Sequence, residues 1–295
     1  MPNWNEIQRQ VSAMESPFDH VRREYLRKLV QKTGRNVIAY YSGWLQKGNN
    51  RLAAIQDNDK DGFMNAIYKM DKGLGLDLIL HTPGGDVAAT ESLGNYLRSV
   101  FGTNIRCFVP QQAMSGGTLL ACMGECIVMG KESSLGPIDP QYNGIPAHGV
   151  IEEFNEAKNA LKTDPKSWPV WQTIISQYHP TFIGECTKAI QWSSEIASNW
   201  LISGMFRNCR DKKKKTNAVL KVLNNHASTK NHSRHIAMDE ARRIGLVIKQ
   251  LEDDDSLQDI VLSLHHAYMC TFWNTKAIKI IENSTGGALT INLPG

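Results

Sequence analysis

Twice in the first half of the chain, a short apolar run ends near a glycine pair and gives way to a helix-patterned segment. Leu76-Asp77-Leu78-Ile79-Leu80-His81 stops at Thr82-Pro83-Gly84-Gly85, after which Ala88, Leu93, Leu97 and Val100 recur on one helical side. Ile105-Arg106-Cys107-Phe108-Val109 starts the cycle again, with a turn over residues 112–117, a helix of small residues and a further run, Cys126-Ile127-Val128-Met129. Strands alternating with helices at this spacing require crossover connections, and hence a parallel sheet covered on both faces. The fold class read from this pattern is α/β.

The flanking segments extend the pattern. Ser16 stands where an N-cap belongs and Pro17 at a first helical position, predicting a helix through Val21, Tyr25, Leu26 and Leu29. Residues 36–41 read as a strand, 46–51 as a loop, and a helix is expected around residues 62–70. Residues 148–226 carry helical periodicity without a strand run, and aromatic residues recur there (Trp168, Trp171, Tyr178, Phe182, Trp192, Trp200, Phe206). This stretch reads as a helical layer or oligomerisation arm, with an aromatic-lined ligand pocket as the alternative. A closing αβ unit follows: a helix from Met238 to Ile244, Gly245 at its C-cap, then Leu246-Val247-Ile248 as a strand. Residues 277–281 and 288–291 flank Ser284-Thr285-Gly286-Gly287 and predict a β-hairpin. The expected organisation is N-terminal helices over 1–35, a core over 36–147, a helical region over 148–235 and a closing unit over 236–295, all within one domain.

Composition narrows the functional classes. With 295 residues the chain can bury a sizeable core, and its 41% hydrophobic and 21% charged content is ordinary for a globular protein. A net charge of +4 gives no argument for a nucleic-acid or membrane partner. The first residues lack the basic start and apolar stretch of a secretory signal, and no run approaches the ~18–20 apolar residues of a membrane span. Of the six cysteines, Cys122 and Cys126 form a C-x3-C pair, but no second pair at zinc spacing follows. Reduced, mostly buried thiols in a cytoplasmic protein without metal or cofactor are therefore expected. The basic run Arg207, Arg210, Lys212, Lys213, Lys214, Lys215 reads as a solvated face.

In a parallel sheet, the turns leaving the carboxyl ends of neighbouring strands gather at one edge, where ligands bind. Thr82-Pro83-Gly84-Gly85 and Ala113-Met114-Ser115-Gly116-Gly117 are two such turns. Glycine lets the backbone approach a substrate and present N–H groups unobstructed. A serine that opens a helix also feels the positive end of that helix. Either turn alone could be a tight turn or a helix cap. Together they supply the parts of acyl transfer: Ser115 as nucleophile, with an oxyanion hole from backbone amides at Gly85 and Gly116.

Three segments, Leu80-His81-Thr82-Pro83-Gly84-Gly85, Ala113-Met114-Ser115-Gly116-Gly117-Thr118 and Leu135-Gly136-Pro137-Ile138-Asp139-Pro140-Gln141, resemble the serine dehydrogenase proteinase family. These are relatives of the Clp protease proteolytic subunit and of signal peptide peptidase. Glu240-Ala241-Arg242-Arg243-Ile244-Gly245-Leu246 resembles the element that ends this fold. The resemblance spans about residues 20–250. It implies a ClpP/crotonase-like fold of repeated ββα units around a parallel sheet, with a helical layer and a C-terminal hairpin added here. It also implies a serine endopeptidase that acts on peptide or protein substrates and assembles as a homo-oligomer. The wider family includes crotonase-type acyl-CoA enzymes lacking a serine nucleophile, so a non-proteolytic acyl enzyme or an inactive scaffold is the alternative.

The same resemblance implies Ser, Asp and His in that chain order, which Ser115, Asp139 and His232 fit. An imidazole suits a general base because its pKa lies near working pH. Competing readings are open. Asp139 sits between Ile138 and Pro140 in a proline-rich turn it could simply cap. His232 is one of several histidines in a polar stretch with His226 and His235. Lys158 is the rival base as a Ser–Lys dyad partner, and His148 is another. His81 reads as a strand-end residue.

Overall fold

The computed structural model describes residues 16–294 except 49, 143 and 225–230. Alternating residues of its central strands feed two separate cores. Ile38 and Tyr40 of β1 (Asn36–Ser42), and Leu78 and Leu80 of β2 (Leu76–His81), point to one face. Val37, Ala39, Tyr41 and Ile79 point to the other. A strand apolar on both faces is the mark of a sheet covered on both sides.

The first face is covered by α3 (Val87–Phe101), α4 (Gly116–Cys122) and α7 (Phe182–Ser203), the second by α1 (Pro17–Thr33) and α10 (Asp255–Asn274). With α2 (Asp59–Ile67), β3 (Ile105–Val109), β4 (Gln112–Ala113), β5 (Cys126–Met129) and β6 (Ser134–Leu135), these form the centre of the chain. The pair β7 (Gln141–Tyr142) and β8 (Ile145–Pro146) precedes a run of helices: α5 (Ala147–Thr163), α6 (Trp168–Ile175), α7 and α8 (Lys212–Leu223). The chain closes through β9 (Ile236–Ala237), α9 (Met238–Arg243), β10 (Ile248–Gln250), α10, β11 (Ala277–Asn283) and β12 (Ala288–Asn292). The main sheet runs β10-β5-β3-β2-β1-β11-β12. Its first five strands are mutually parallel and β11 runs antiparallel to both its neighbours, β1 and β12, so the expected mostly parallel α/β sheet and the C-terminal hairpin are both present.

Local signals act as their chemistry dictates. The Ser16 hydroxyl accepts from the Asp19 N–H, and α1 ends at Gly34 with a φ of 66°. The second helix starts earlier than expected because Asp59 and Asp61 occupy its first turn, where the helix dipole favours them. It ends at Ile67, ahead of Lys69, whose φ of 62° is left-handed. The closing strand begins at Ile248 rather than Leu246. Gly245 and Leu246 still donate back to Arg242 and Ala241 carbonyls, closing the helix end before the chain extends. The two-residue strands β4, β6, β7, β8 and β9 are too short to show a period.

The helical region is joined to the core through Trp200. Its ring lies over Gly94 of α3, where an added methyl would come within 2.4 Å of the indole. Its Nε1 donates to Asn95 Oδ1 at 3.1 Å. Farther out, α5 and α7 build a satellite cluster from Ala147, Val150 and Cys186, while Trp168, Val170 and Trp192 stay exposed. Arg207 and Lys213, Lys214 and Lys215 of the basic run are solvent-facing.

All six cysteines are free, with Cys107, Cys122, Cys126 and Cys186 buried. Burial pushes the Cys122 thiol up to about 12, so it stays protonated and non-nucleophilic. Among the described residues no helix is long and apolar enough to cross a membrane.

Candidate active site

The two glycine turns lie side by side at the carboxyl edge of the sheet. Thr82 bridges to Ala113, with Thr82 N–H donating to Gln112 O and Met114 N–H to Thr82 O. This stitches the end of β2 to the start of the second turn. The approach requires glycine. Gly84 has a φ of 92°, and a methyl there would meet Met114 O at 2.6 Å, Ser115 Cβ at 2.7 Å and Gly116 N at 2.8 Å. On its other side the first turn is bracketed by Ile55, whose N–H donates to Gly84 O at 2.8 Å and whose carbonyl accepts from Asp86 N–H at 3.0 Å.

Ser115 sits at the head of α4 with φ 50° and ψ −115°. A non-glycine residue in this region is strained and persists only where its surroundings enforce it. Its side chain makes no capping hydrogen bond to the helix it precedes. Among the described residues, the N–H groups of Gly85 and Gly116 find no backbone acceptor in the surrounding turns. A methyl placed on Gly116 would lie 3.4 Å from Gly85 N, and both glycines line the same cavity as Ser115.

Thr118 ties this turn to the segment carrying Asp139. Its Oγ1 accepts from Gly136 N–H at 2.9 Å and lies 2.7 Å from Ala113 O. Residue 138 is held by two helices of the helical region, α8 and α7: Ile138 N–H donates to Leu223 O, and Ser193 Oγ to Ile138 O at 2.8 Å. Asp139 is fully buried, and its Oδ1 lies 2.9 Å from His232 Nδ1. His232 is about one-fifth exposed, at 22%. The pairing of β6 with β9, Ser134 opposite Ala237 and Leu135 opposite Ile236, draws the chain just after His232 toward the strand just before Asp139. His235 takes a different partner, Ser134 Oγ at 2.9 Å. His226 lies outside the described residues.

Ser115, Gly84, Gly85, Gly116, Pro140 and His232 line one cavity of about 320 Å³. A second cavity, about 640 Å³, shares Gly85, Val87, Pro140 and Gln141 with it and extends to Tyr142 and Trp192. Volumes of this order match ligand-sized clefts. Lys158 is exposed on α5 and is not among the described residues lining the first cavity. Nor is His148, half-buried in the first turn of α5. His81 lies fully buried on the opposite face of the sheet, its ring 4.3 Å from that of Trp44 and 5.1 Å from that of His265.

The profile described as ClpP-like SDH-type serine proteinase matches residues 11–255. The chain belongs to this family. The family profile thus takes in both glycine turns, Asp139 and His232, and stops at the start of α10, leaving β11 and β12 beyond it. Among similar proteins, an uncharacterized protein of Methanocaldococcus jannaschii is 31% identical over 216 residues, 72% of this chain and 65% of its own length. A second uncharacterized protein of the same archaeon is 34% identical over 100 residues, 34% of each chain. The chain therefore spans less than two thirds of the length of either relative.

Two elements of the site escaped the sequence reading. Thr118 stood within a quoted motif, but its bonds to Ala113 and Gly136 depend on the third dimension. Ile55 gave no signal.

Proposed function

We propose that the protein is a serine endopeptidase working through an acyl-enzyme. His232 Nδ1–H donates to Asp139, which leaves the Nε2 lone pair as the basic nitrogen. Nε2 takes the Ser115 proton as Oγ bonds to the peptide carbonyl carbon, and the carbonyl oxygen becomes an oxyanion held by the Gly85 and Gly116 N–H groups. The tetrahedral adduct collapses as the C–N bond breaks, and the imidazolium gives its proton to the departing amine. Water then repeats the sequence on the ester, releasing the acid and restoring Ser115. The observation that carries this reading is the Asp139–His232 hydrogen bond at the rim of the cavity that also holds a backbone-strained Ser115. Reaction of the purified protein with a fluorophosphonate probe tests it. Labelling confined to Ser115, together with peptide turnover, supports the peptidase, and an unlabelled, folded protein refutes an activated serine.

The oxyanion assignment has its own test. A methyl at Gly85 would come within 2.3 Å of Ile55 N and 2.5 Å of Ile55 O, so Gly85→Ala must displace the turn. The expected loss is roughly 10²–10³ in kcat, the typical worth of an oxyanion donor. Rates within a few-fold of the parent would remove that amide from the mechanism.

A homo-oligomer is part of the same proposal. Trp168 at 51% and Val170 at 63% exposure stand on α6, where a partner chain would cover them. Light scattering should return a multiple of the chain mass, whereas a monomer mass at all working concentrations would contradict it.

A further inference from the structure

Lys279 lies in the middle of β11 with its side chain wholly buried, and the proposed chemistry makes no use of it. Its Nζ donates to Asp59 Oδ1 at 2.7 Å and to Ala54 O at 2.6 Å. Asp59 is equally buried, and its other oxygen accepts from the Tyr40 hydroxyl at 2.7 Å and from Gln56 N–H at 3.0 Å. Ser42 Oγ adds a bond to Ala53 O at 2.6 Å. Residues 53, 54 and 56 are therefore all tied to buried polar groups of the sheet or of α2. Between them stands Ile55, the residue whose backbone brackets the first glycine turn.

Burial pulls the Lys279 ammonium below its ordinary value, with Asp59 opposing that shift. A buried ion pair seldom stabilises a protein more than well-packed apolar side chains would, because desolvation offsets the attraction. Its advantage is directional. An ammonium fixes two oxygens at set distances, which a methyl-terminated chain cannot do. Here one of those oxygens is the carbonyl immediately before Ile55, and Ile55 holds Gly84 O and Asp86 N–H on either side of Gly85.

We infer that the Lys279–Asp59 pair is a positioning device for the Gly85 amide, its lysine supplied by a strand beyond the stretch that the family profile matches. This rests on Gly85 being an oxyanion donor, and it assigns Lys279 no contact with substrate. A displaced amide weakens the transition state more than the ground state, so the loss falls on kcat.

The experiment uses the full chain with Lys279→Met and Asp59→Asn, measuring kcat and KM on a peptide substrate well below the melting temperature. Deuterium uptake over residues 50–59 and 82–86 is followed in parallel. Lys279→Met should lower kcat roughly 10-fold or more with KM within about 3-fold, and should speed exchange in both segments. Asp59→Asn should move both readouts in the same direction. A folded Lys279→Met protein with parental kcat and parental exchange overturns the inference. Should Lys279→Met fail to fold, Tyr40→Phe removes a single bond to Asp59: a fall in kcat at constant KM supports positioning, and unchanged kcat overturns it. If the parent is not labelled by a fluorophosphonate, the peptidase reading fails by itself. Exchange over residues 82–86 then still decides the positioning: faster in Lys279→Met supports it, unchanged refutes it.

Discussion

Under the proposed mechanism, Ser115→Ala should lower peptide hydrolysis by roughly 10⁴-fold or more and abolish fluorophosphonate labelling, with the fold retained. Alanine keeps the Cβ already accommodated at φ 50°, so the substitution removes only the hydroxyl. His232→Ala should cost nearly as much, because residues that act as a unit are not additive. Asp139→Asn tests the orientation of the imidazole, since an amide in contact with Nδ1 can favour the wrong tautomer. Lys158→Ala and His148→Ala should remain within a few-fold of the parent, neither being among the described residues that line the cavity with Ser115. Turnover by pure Ser115→Ala protein would end the nucleophile assignment. An active His232→Ala enzyme beside an inactive Lys158→Ala enzyme would transfer the base to Lys158.

Acidification should destabilise the protein by a few kcal/mol through a pair of histidines on the opposite face of the sheet from Ser115. His81 is fully buried and His265 nearly so, and neither Nδ1 has a hydrogen-bond partner among the described residues. Burial, and then each ring's histidine neighbour, holds His81 well below the ordinary imidazole value and His265 at about 4. Both folded values are depressed, so the unfolded chain binds the protons first, near pH ~6.5. Stability is complete above that pH and falls as pH drops toward the folded values, by about 1.4 kcal/mol per pH unit for each ring. Between pH ~6.5 and 5 the two together lose on the order of a few kcal/mol, an appreciable share of the roughly 5–15 kcal/mol that holds a domain folded. Urea unfolding at pH 7.5 and 5.0 measures this, and His265→Phe should reduce the difference by about half. Equal stability at the two pH values would show that the rings are not held neutral.

The strands at residues 76–81, 105–109 and 126–129 were legible because an apolar run bounded by turn residues has few other solutions. The glycine turns were legible for a related reason, since a positive φ as at Gly84 leaves a residue-type signature. What selects among the histidines is not local. His232 meets Asp139 and His235 meets Ser134 because β6 pairs with β9, strands of two residues each whose partners lie about a hundred positions away. No window of sequence contains that register. Ile55 is illegible for another reason: its role lies in its main chain, and any residue type offers an N–H and a carbonyl. The shift of the closing strand from Leu246 to Ile248 is a boundary effect, set by how the preceding helix ends.

The Asp139–His232 contact joins residues 93 positions apart, with the whole helical region between them. A ribosome delivers the serine and both glycine turns long before it delivers the imidazole. Under the proposed chemistry, a nascent chain therefore carries a nucleophile without a base, and cannot cut itself or its neighbours while its own loops are still unprotected. On that reading, competence waits for β9 to pair with β6, strands about a hundred positions apart, so the chemistry is tied to completion of the fold.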